Sequence, residues 1–85
     1  MQIGYYRHFK GTVYQVMCIG THTETGEELV VYQAASIPNG KIWIRPRQMF
    51  QELVTREIGG VVTTVPRFDF IGTELPPEVK IPNAH

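Results

Sequence analysis

Short apolar stretches with a two-residue period dominate the chain. This period is typical of β-strands, in which alternate side chains lie on opposite faces of a sheet. From Thr12 to Thr21 both sides of the predicted strand are largely apolar, which is expected of a strongly curved strand in a small barrel. The stretches that predict strands cover residues 12–21, 28–35, 41–45, 54–58, 61–65 and 67–71.

Glycine and asparagine mark the turns between these stretches. Asn39-Gly40 predicts a type I′ hairpin, which would place Trp43 beside the second predicted strand. The chain is therefore expected to run back and forth as antiparallel strands. The turn signals are Gly11, the polar segment 23–27 with Gly26, Asn39-Gly40 and Gly59-Gly60.

The period of the apolar positions changes at Pro46. Before it, Trp43 and Arg45 share one side of a predicted strand, whereas after it Phe50 and Leu53 are spaced for a helical turn. Proline suits the first position of a helix because its missing N–H needs no partner there. We predict a short helix after this proline, and we predict that Trp43 anchors the core or its edge.

These elements predict a mainly β fold, a small SH3-like barrel or β-roll of about five short antiparallel strands, with one short helix or 3-10 turn after Pro46. A ferredoxin-like fold is disfavoured because it needs two longer helices. The 85 residues fit one domain, predicted for residues 1–72. The tail, 73–85, contains Pro76, Pro77 and Pro82, and is expected to be unstructured or draped and dispensable for folding.

The composition argues against several classes of protein. The formal net charge is zero, so the long-range field used by non-specific nucleic-acid binders and by proteins of anionic membranes is missing. The single cysteine, Cys18, cannot form an internal disulfide, and no apolar run reaches the length of a membrane span. The start of the chain lacks the charged and apolar regions of a secretory signal. We therefore expect a soluble cytoplasmic domain, either monomeric or weakly dimeric.

Several motifs in a fixed order resemble one bacterial family, the domain-of-unknown-function family 1653. The resemblance covers roughly residues 5 to 70, and motifs in register are more specific than one short pattern. It implies a compact SH3-like barrel and no assigned activity. The motifs are Tyr6-Arg7-His8-Phe9-Lys10-Gly11, Tyr14 and Val16, His22 with Glu24-Thr25, Glu28, Val31-Tyr32, Trp43 with Arg45-Pro46, Met49-Phe50 and Pro66-Arg67-Phe68.

The chain departs from the pattern of this family in two places. Ala35-Ser36 stands where members usually carry a Leu-Tyr pair, which puts any pocket lined by that tyrosine in doubt. The segment before Pro66 is longer, and its residues 58–64 are predicted to form an extended loop or a hairpin.

One histidine–carboxylate pair is the candidate for catalysis. His22 and Glu24 would share a face of the strand, and a carboxylate can orient an imidazole for general-base work. We favour a hydrogen bond that closes the turn, because the sequence positions no nucleophile beside the pair. No metal site and no cofactor are predicted, since the possible ligands lack the paired spacing of a zinc site; they are His8, His22, His85 and Cys18. Cys18 is expected to be buried and inert.

Two clusters of cations and aromatic residues are the candidates for binding. The first holds Arg7, His8 and Lys10, and the second holds Trp43 and Arg45. Arginine beside aromatic rings is typical of surfaces that stack a ligand and bind phosphate or carboxylate. Arg7 and Arg45 would form a small anion site if they met near the start of the predicted helix. The predicted ligand-binding residues are Arg7, His8, His22, Glu24, Trp43 and Arg45.

The competing interpretation is that the arginines stabilise the fold. Arg45 and Arg67 would then pair with Glu24, Glu28 or Asp69, while the aromatic residues fill the core. Strand alternation places Arg67 on the same face as Asp69, so this pair is predicted to be structural.

Three functional hypotheses remain open. The first is a non-catalytic binding module for a small anionic ligand or for a protein or peptide partner. The second is a small enzyme or nucleotide-processing accessory that uses His22 and Glu24. The third is a structural interaction domain that binds a partner protein through an exposed aromatic groove. A shallow groove lined by tyrosine and tryptophan would favour a module, and a deep pocket with perturbed ionisable groups would favour an enzyme.

Overall fold

The computed structural model describes residues 1–37 and 39–80, and within them the chain forms seven strands and one short helix. The elements are β1 (Gly4–His8), β2 (Val13–Thr21), β3 (Glu28–Ala34), β4 (Trp43–Pro46), α1 (Arg47–Phe50), β5 (Leu53–Ile58), β6 (Val61–Pro66) and β7 (Phe68–Gly72).

Five strands form one antiparallel sheet in the order β4-β3-β2-β1-β7. The first four strands follow one another as a meander, and β7 returns to pair with β1. This arrangement confirms the predicted mainly β class of short antiparallel strands with one short helix after Pro46. The sheet is open, because β4 and β7 lie at its two edges in the part of the chain that the structure describes.

The open sheet curls strongly around its core. Arg45 on β4 and Phe68 on β7 come from opposite edges, yet the guanidinium carbon lies 5.8 Å from the centre of the ring. Neighbouring strands are about 4.8 Å apart, so four such intervals would separate these edges by roughly 19 Å in a flat sheet. A β-bulge in β2 between Val16 and Cys18 adds to the local bend.

Aromatic rings fill the core on the concave face of this sheet. Phe50 from α1 is 1% exposed and stacks on Phe68, with 4.1 Å between the ring centres. The rings of Tyr6 and Tyr32 contact the edge of Phe50 at 5.2 and 5.3 Å. The buried core cluster consists of Tyr6, Val16, Val30, Tyr32, Phe50 and Phe68.

Strands β5 and β6 form a separate hairpin of two strands, which lies between α1 and β7 in the chain. Its turn is Gly59-Gly60, and both glycines have positive φ, as the sequence indicates. The predicted hairpin over residues 58–64 is therefore present, although it begins earlier, at Leu53. This hairpin also explains why the total of seven strands exceeds the five of the main sheet.

The prediction that Trp43 anchors the core is wrong. Its side chain is 47% exposed, because β4 is an edge strand and no further strand covers its outer side in the described residues. Leu53, which the sequence spaces for the helical turn, lies outside the helix. The helix ends at Phe50, and Leu53 begins β5, where it is 62% exposed. Cys18 was expected to be buried, but it lies exposed beside the bulge of β2.

The connection between β3 and β4 also differs from the predicted type I′ hairpin. Asn39 has a φ of 66°, whereas Gly40 is not among the glycines with positive φ. Trp43 nevertheless pairs with Tyr32 across the two strands, so its predicted position beside the second long strand is confirmed.

The described part of the tail, residues 73–80, makes contact with the sheet. Glu78 accepts a hydrogen bond from the guanidinium of Arg7 on β1. The N–H of Val79 donates to the carbonyl of Pro76 over 3.1 Å, which closes a turn. Residues 81–85, with Pro82 and His85, lie outside the described residues. No helix in the described residues is long and apolar enough to span a membrane.

Candidate functional site

The concave side of the sheet presents a partly open surface, which we call the aromatic face. Tyr32 and Phe68 form its floor and are 5% and 6% exposed, with 5.6 Å between their ring centres. Tyr14 packs edge-on against both rings. Both rings belong to the buried core, so they support the more exposed side chains of this surface from below. The aromatic face consists of His8, Tyr14, Tyr32, Trp43, Arg45 and Phe68.

Arg45 lies over this floor with part of its guanidinium unused. Its Nε donates a hydrogen bond to the hydroxyl of Tyr32 over 3.2 Å, which fixes the orientation of the side chain. Among the described residues no carboxylate forms an ion pair with Arg45. The predicted pairing of Arg45 with Glu24 or Glu28 is therefore wrong. Its two terminal nitrogens can donate to a carboxylate or a phosphate at this surface.

His8 closes one end of the aromatic face. Its ring contacts Phe68 at 4.9 Å, and its Nδ1 accepts the backbone N–H of Lys10 over 3.1 Å. An accepting Nδ1 requires the neutral imidazole with its proton on Nε2. Burial lowers the pKa of His8 from the ordinary value of 6.5, and the cations Arg67, Lys10 and Arg45 lower it further. This end of the surface therefore has a positive potential.

The lowered pKa of His8 predicts how stability changes with pH. Below pH 6.5 the unfolded chain binds more protons at this residue than the folded chain does, so the free energy of unfolding falls as pH decreases towards the folded pKa. Above the pKa of His8 in the unfolded chain, about 6.5, the contribution of this residue to the free energy of unfolding is constant. Urea denaturation between about pH 5.5 and 7.5 should show this slope in the native chain and a weaker slope in His8→Asn.

His8→Asn is suited to this test because an asparagine oxygen can accept the same N–H of Lys10. The variant loses the ring contact with Phe68, so the quantity compared is the slope with pH and not the stability at one pH. An unchanged slope in the variant would assign the pH dependence to other groups.

Trp43 forms the other end of the aromatic face. Together with Tyr14 and Ile37 it lines a groove of about 300 Å³ that is open to solvent at the edge of the sheet. The ammonium of Lys41 lies 5.6 Å from the centre of the indole, at the distance of a cation–π contact. A shallow groove lined by tyrosine and tryptophan is the feature that favours a binding module over an enzyme.

Arg7 lies apart from Arg45, so the predicted anion site between them is wrong. Arg7 alternates with Tyr6 and His8 along β1 and therefore points to the convex side of the sheet. There it pairs with Glu78 of the tail. Arg45 is on the concave side with Tyr32.

The remaining arginines near the aromatic face have structural partners. Arg47 at the start of α1 donates to Glu28 over 2.8 Å and to Gln51 over 3.1 Å. A terminal nitrogen of Arg67 lies 3.8 Å from a carboxylate oxygen of Glu52, and the backbone N–H of Arg67 donates to the backbone carbonyl of Glu52. Arg67 precedes β7 and is not part of it, which is why strand alternation wrongly predicted a pair with Asp69.

His22 and Glu24 lie at the turn between β2 and β3, remote from the aromatic face in the strand pairing. The Nδ1 of His22 accepts the backbone N–H groups of Glu24 at 3.1 Å and Thr25 at 3.4 Å. The imidazole thus stabilises the hairpin turn through the backbone of Glu24, as the favoured interpretation expected. The structure shows no hydrogen bond between the imidazole and the carboxylate of Glu24 among the described residues.

Sequence reasoning found three members of the aromatic face, His8, Trp43 and Arg45, but missed the tyrosines and Phe68 as parts of a site. The strand register brings these residues to one face, because Tyr32 pairs with Trp43 on one side and with Val16 on the other. Two tyrosines and an arginine in neighbouring strands are a weak signal until that register is known.

Known proteins place the chain in a family. A crystal structure of a DUF1653 protein from Bordetella bronchiseptica matches with a TM-score of 0.72 and 30% sequence identity, over 89% of this chain and 94% of that chain. No curated protein matches this chain. The model of the family described as "Protein of unknown function (DUF1653)" matches residues 4–70. The chain therefore belongs to the DUF1653 family, as its motifs predicted.

Proposed function

We propose that this domain is a non-catalytic binding module that holds a peptide segment of a partner protein on its aromatic face. The observation that carries the proposal is the half-exposed Trp43 beside an open groove, with the unpaired guanidinium of Arg45 on the same face. The preferred segment has an aromatic residue or proline for the groove and a carboxylate for Arg45.

The edge position of β4 supports an extended peptide as the ligand. β4 pairs only with β3 among the described strands, so the backbone groups on its outer side are free to pair with an added strand. Main-chain pairing would supply affinity, and Trp43 and Arg45 would supply selectivity.

The enzyme alternative has less support from the geometry. It depends on His22 and Glu24, and the Nδ1 of His22 is occupied by two backbone N–H groups of the turn. A general base needs a free nitrogen directed at its substrate. A bacterial, cytoplasmic location is part of the proposal, and the exposed, unpaired Cys18 is suited to a reducing compartment.

A titration followed by backbone amide shifts tests the proposal. The probes are short peptides with an aromatic residue or proline next to an acidic residue, compared with the same peptides carrying glutamine in place of the acid. We expect saturable shifts at residues 14, 32 and 43–45, with a dissociation constant about tenfold weaker in Trp43→Ala and in Arg45→Gln.

Two neighbouring residues provide matched controls. Ile44→Ala removes an exposed side chain from the opposite side of β4, and Arg47→Gln removes a nearby arginine that pairs with Glu28. Both variants should retain affinity within about twofold, since neither residue is part of the aromatic face. Equal losses in the controls and in the test variants, or shifts that avoid the aromatic face, would refute the proposal.

A further inference from the structure

A second cavity lies at the end of the sheet, between the turn that joins β1 to β2 and the β5–β6 hairpin. Its volume is about 420 Å³, within the size range of small-molecule sites. We call it the turn cavity. Phe9 and Lys10 come from the turn, Arg56, Val65 and Pro66 from the hairpin, and Asp69 from β7.

The two walls of the turn cavity are joined by hydrogen bonds. A terminal nitrogen of Arg56 donates to the carbonyl of Phe9 over 2.7 Å, which ties the hairpin to the turn. The N–H of Phe9 donates to the carbonyl of Arg67 over 2.9 Å, which ties the same turn to the residue before β7. The cavity is therefore preformed, and a ligand would not have to order its walls.

The charges around the turn cavity do not balance. In the described part of the chain neither Lys10 nor Arg56 has a carboxylate within ion-pair distance. Asp69 is the acidic residue of the lining, and it too is outside the ion pairs found there. Arg7 also lines the cavity, but its guanidinium pairs with Glu78. The two remaining cations face one carboxylate, so one further negative charge would neutralise the site.

The apolar wall limits the ligand further. The ring of Phe9 and the side chains of Val65 and Pro66 line the cavity beside the cations, so a ligand gains by burying an apolar body there. Arg56 can form two parallel hydrogen bonds with a carboxylate, since the planar guanidinium and the carboxylate have matching geometry.

We infer that the turn cavity binds a singly charged carboxylate with an apolar body, held by Lys10 and Arg56 and packed against Phe9 and Val65. This site adjoins the aromatic face and shares His8 with it, but its charged groups are different. Such a carboxylate is present in a free aromatic acid and at the C-terminus of a peptide that ends in an apolar residue. The two sources share the same recognition chemistry.

The probe for this site is phenylacetate, added to the full chain while backbone amide shifts are recorded. We expect saturable shifts at residues 8–11, 56 and 65, and little response to the neutral phenylacetamide. Lys10→Gln and Arg56→Gln should each weaken binding by about tenfold, since each removes a charged donor. Lys10→Gln is the cleaner variant, because Arg56 also ties the hairpin to the turn.

Arg45→Gln is the control, because Arg45 belongs to the aromatic face and does not line the turn cavity. This variant should leave phenylacetate binding unchanged. Equal binding of phenylacetamide, or full affinity in Lys10→Gln, would overturn the inference. Inorganic phosphate that binds as tightly as phenylacetate would overturn the assignment to a carboxylate with an apolar body. A peptide ending in phenylalanine, compared with its C-terminal amide, distinguishes the sources, because binding of the free terminus alone assigns the site to a protein C-terminus.

Discussion

Replacement of Phe50 by alanine is expected to lower the free energy of unfolding by about 3–5 kcal/mol. Phe50 is 1% exposed, stacks on Phe68, and contacts Tyr6 and Tyr32 edge-on, so its removal leaves a cavity at the centre of the aromatic core. A domain of this size has only about 5–15 kcal/mol of stability in total. Urea denaturation followed by circular dichroism measures the loss.

Trp43→Ala is the matched control for this prediction. Tryptophan is the larger side chain, but Trp43 is 47% exposed at the edge of the sheet, and we expect a loss of about 1 kcal/mol or less. The comparison separates the effect of side-chain burial on stability from the effect of side-chain size. A Trp43→Ala variant that loses as much stability as Phe50→Ala would place the indole in the core after all. Phe50→Leu, which keeps part of the apolar volume, remains available if Phe50→Ala does not fold.

The sequence predicts six of the seven described strands, because the two-residue period and the turn residues are local signals, but it misses β1, Gly4–His8. Gly26 and Gly59-Gly60 lie in turns with positive φ, and the short helix follows Pro46. The position of Trp43 could not be predicted in the same way. Alternation shows which residues share a side of a strand, but it does not show which strand lies at the edge of the sheet.

The candidate site depends on contacts between residues that are distant in sequence. Arg45 and Phe68 meet only because the sheet curls enough to bring its two edges together. Arg7 and Arg45 lie on opposite sides of the sheet, and the phase of each strand is set by pairing and by the bulge in β2. A one-residue shift in register changes the side on which every residue of a strand lies. Sequence alone therefore identified candidate residues without identifying the correct groups.

His8 connects the two proposed sites. Its ring contacts Phe68 on the aromatic face, and it also lines the turn cavity. Burial lowers the pKa of this imidazole, and although the chain has zero net charge, Arg67, Lys10 and Arg45 concentrate positive charge around it and lower its pKa further. Local charge of this kind attracts a single anion at short range without the long-range field of a nucleic-acid binder. An anion bound at either site should raise the pKa of His8, which gives both proposals one common spectroscopic reporter.

Gly4→Ala is expected to lower the free energy of unfolding by about 2–5 kcal/mol, from backbone strain and steric overlap together. Gly4 opens β1 with a φ of 145°, a conformation that residues with a side chain rarely adopt. A Cβ at this position would lie 2.7 Å from the carbonyl oxygen of Gly72 and 3.1 Å from the ring of Phe70. The pairing of β1 with β7 holds Gly72 and Phe70 in place, so the overlap cannot be relieved by rotation of a flexible side chain.

Substitutions at two other glycines separate the effect of backbone strain from that of steric overlap. Gly72 has a similar φ of 141° but open space at its Cβ position, so Gly72→Ala should show the strain alone, about 1–3 kcal/mol. Gly20 also has open space and is not among the glycines with positive φ, so Gly20→Ala should change the free energy of unfolding by about 0.5 kcal/mol or less. Denaturation of the three variants should give the order Gly4, Gly72, Gly20 from the largest loss to the smallest. Equal losses at Gly4 and Gly72 would mean that the close approach of β7 to Gly4 contributes nothing, and that the start of β1 can move away from its neighbour.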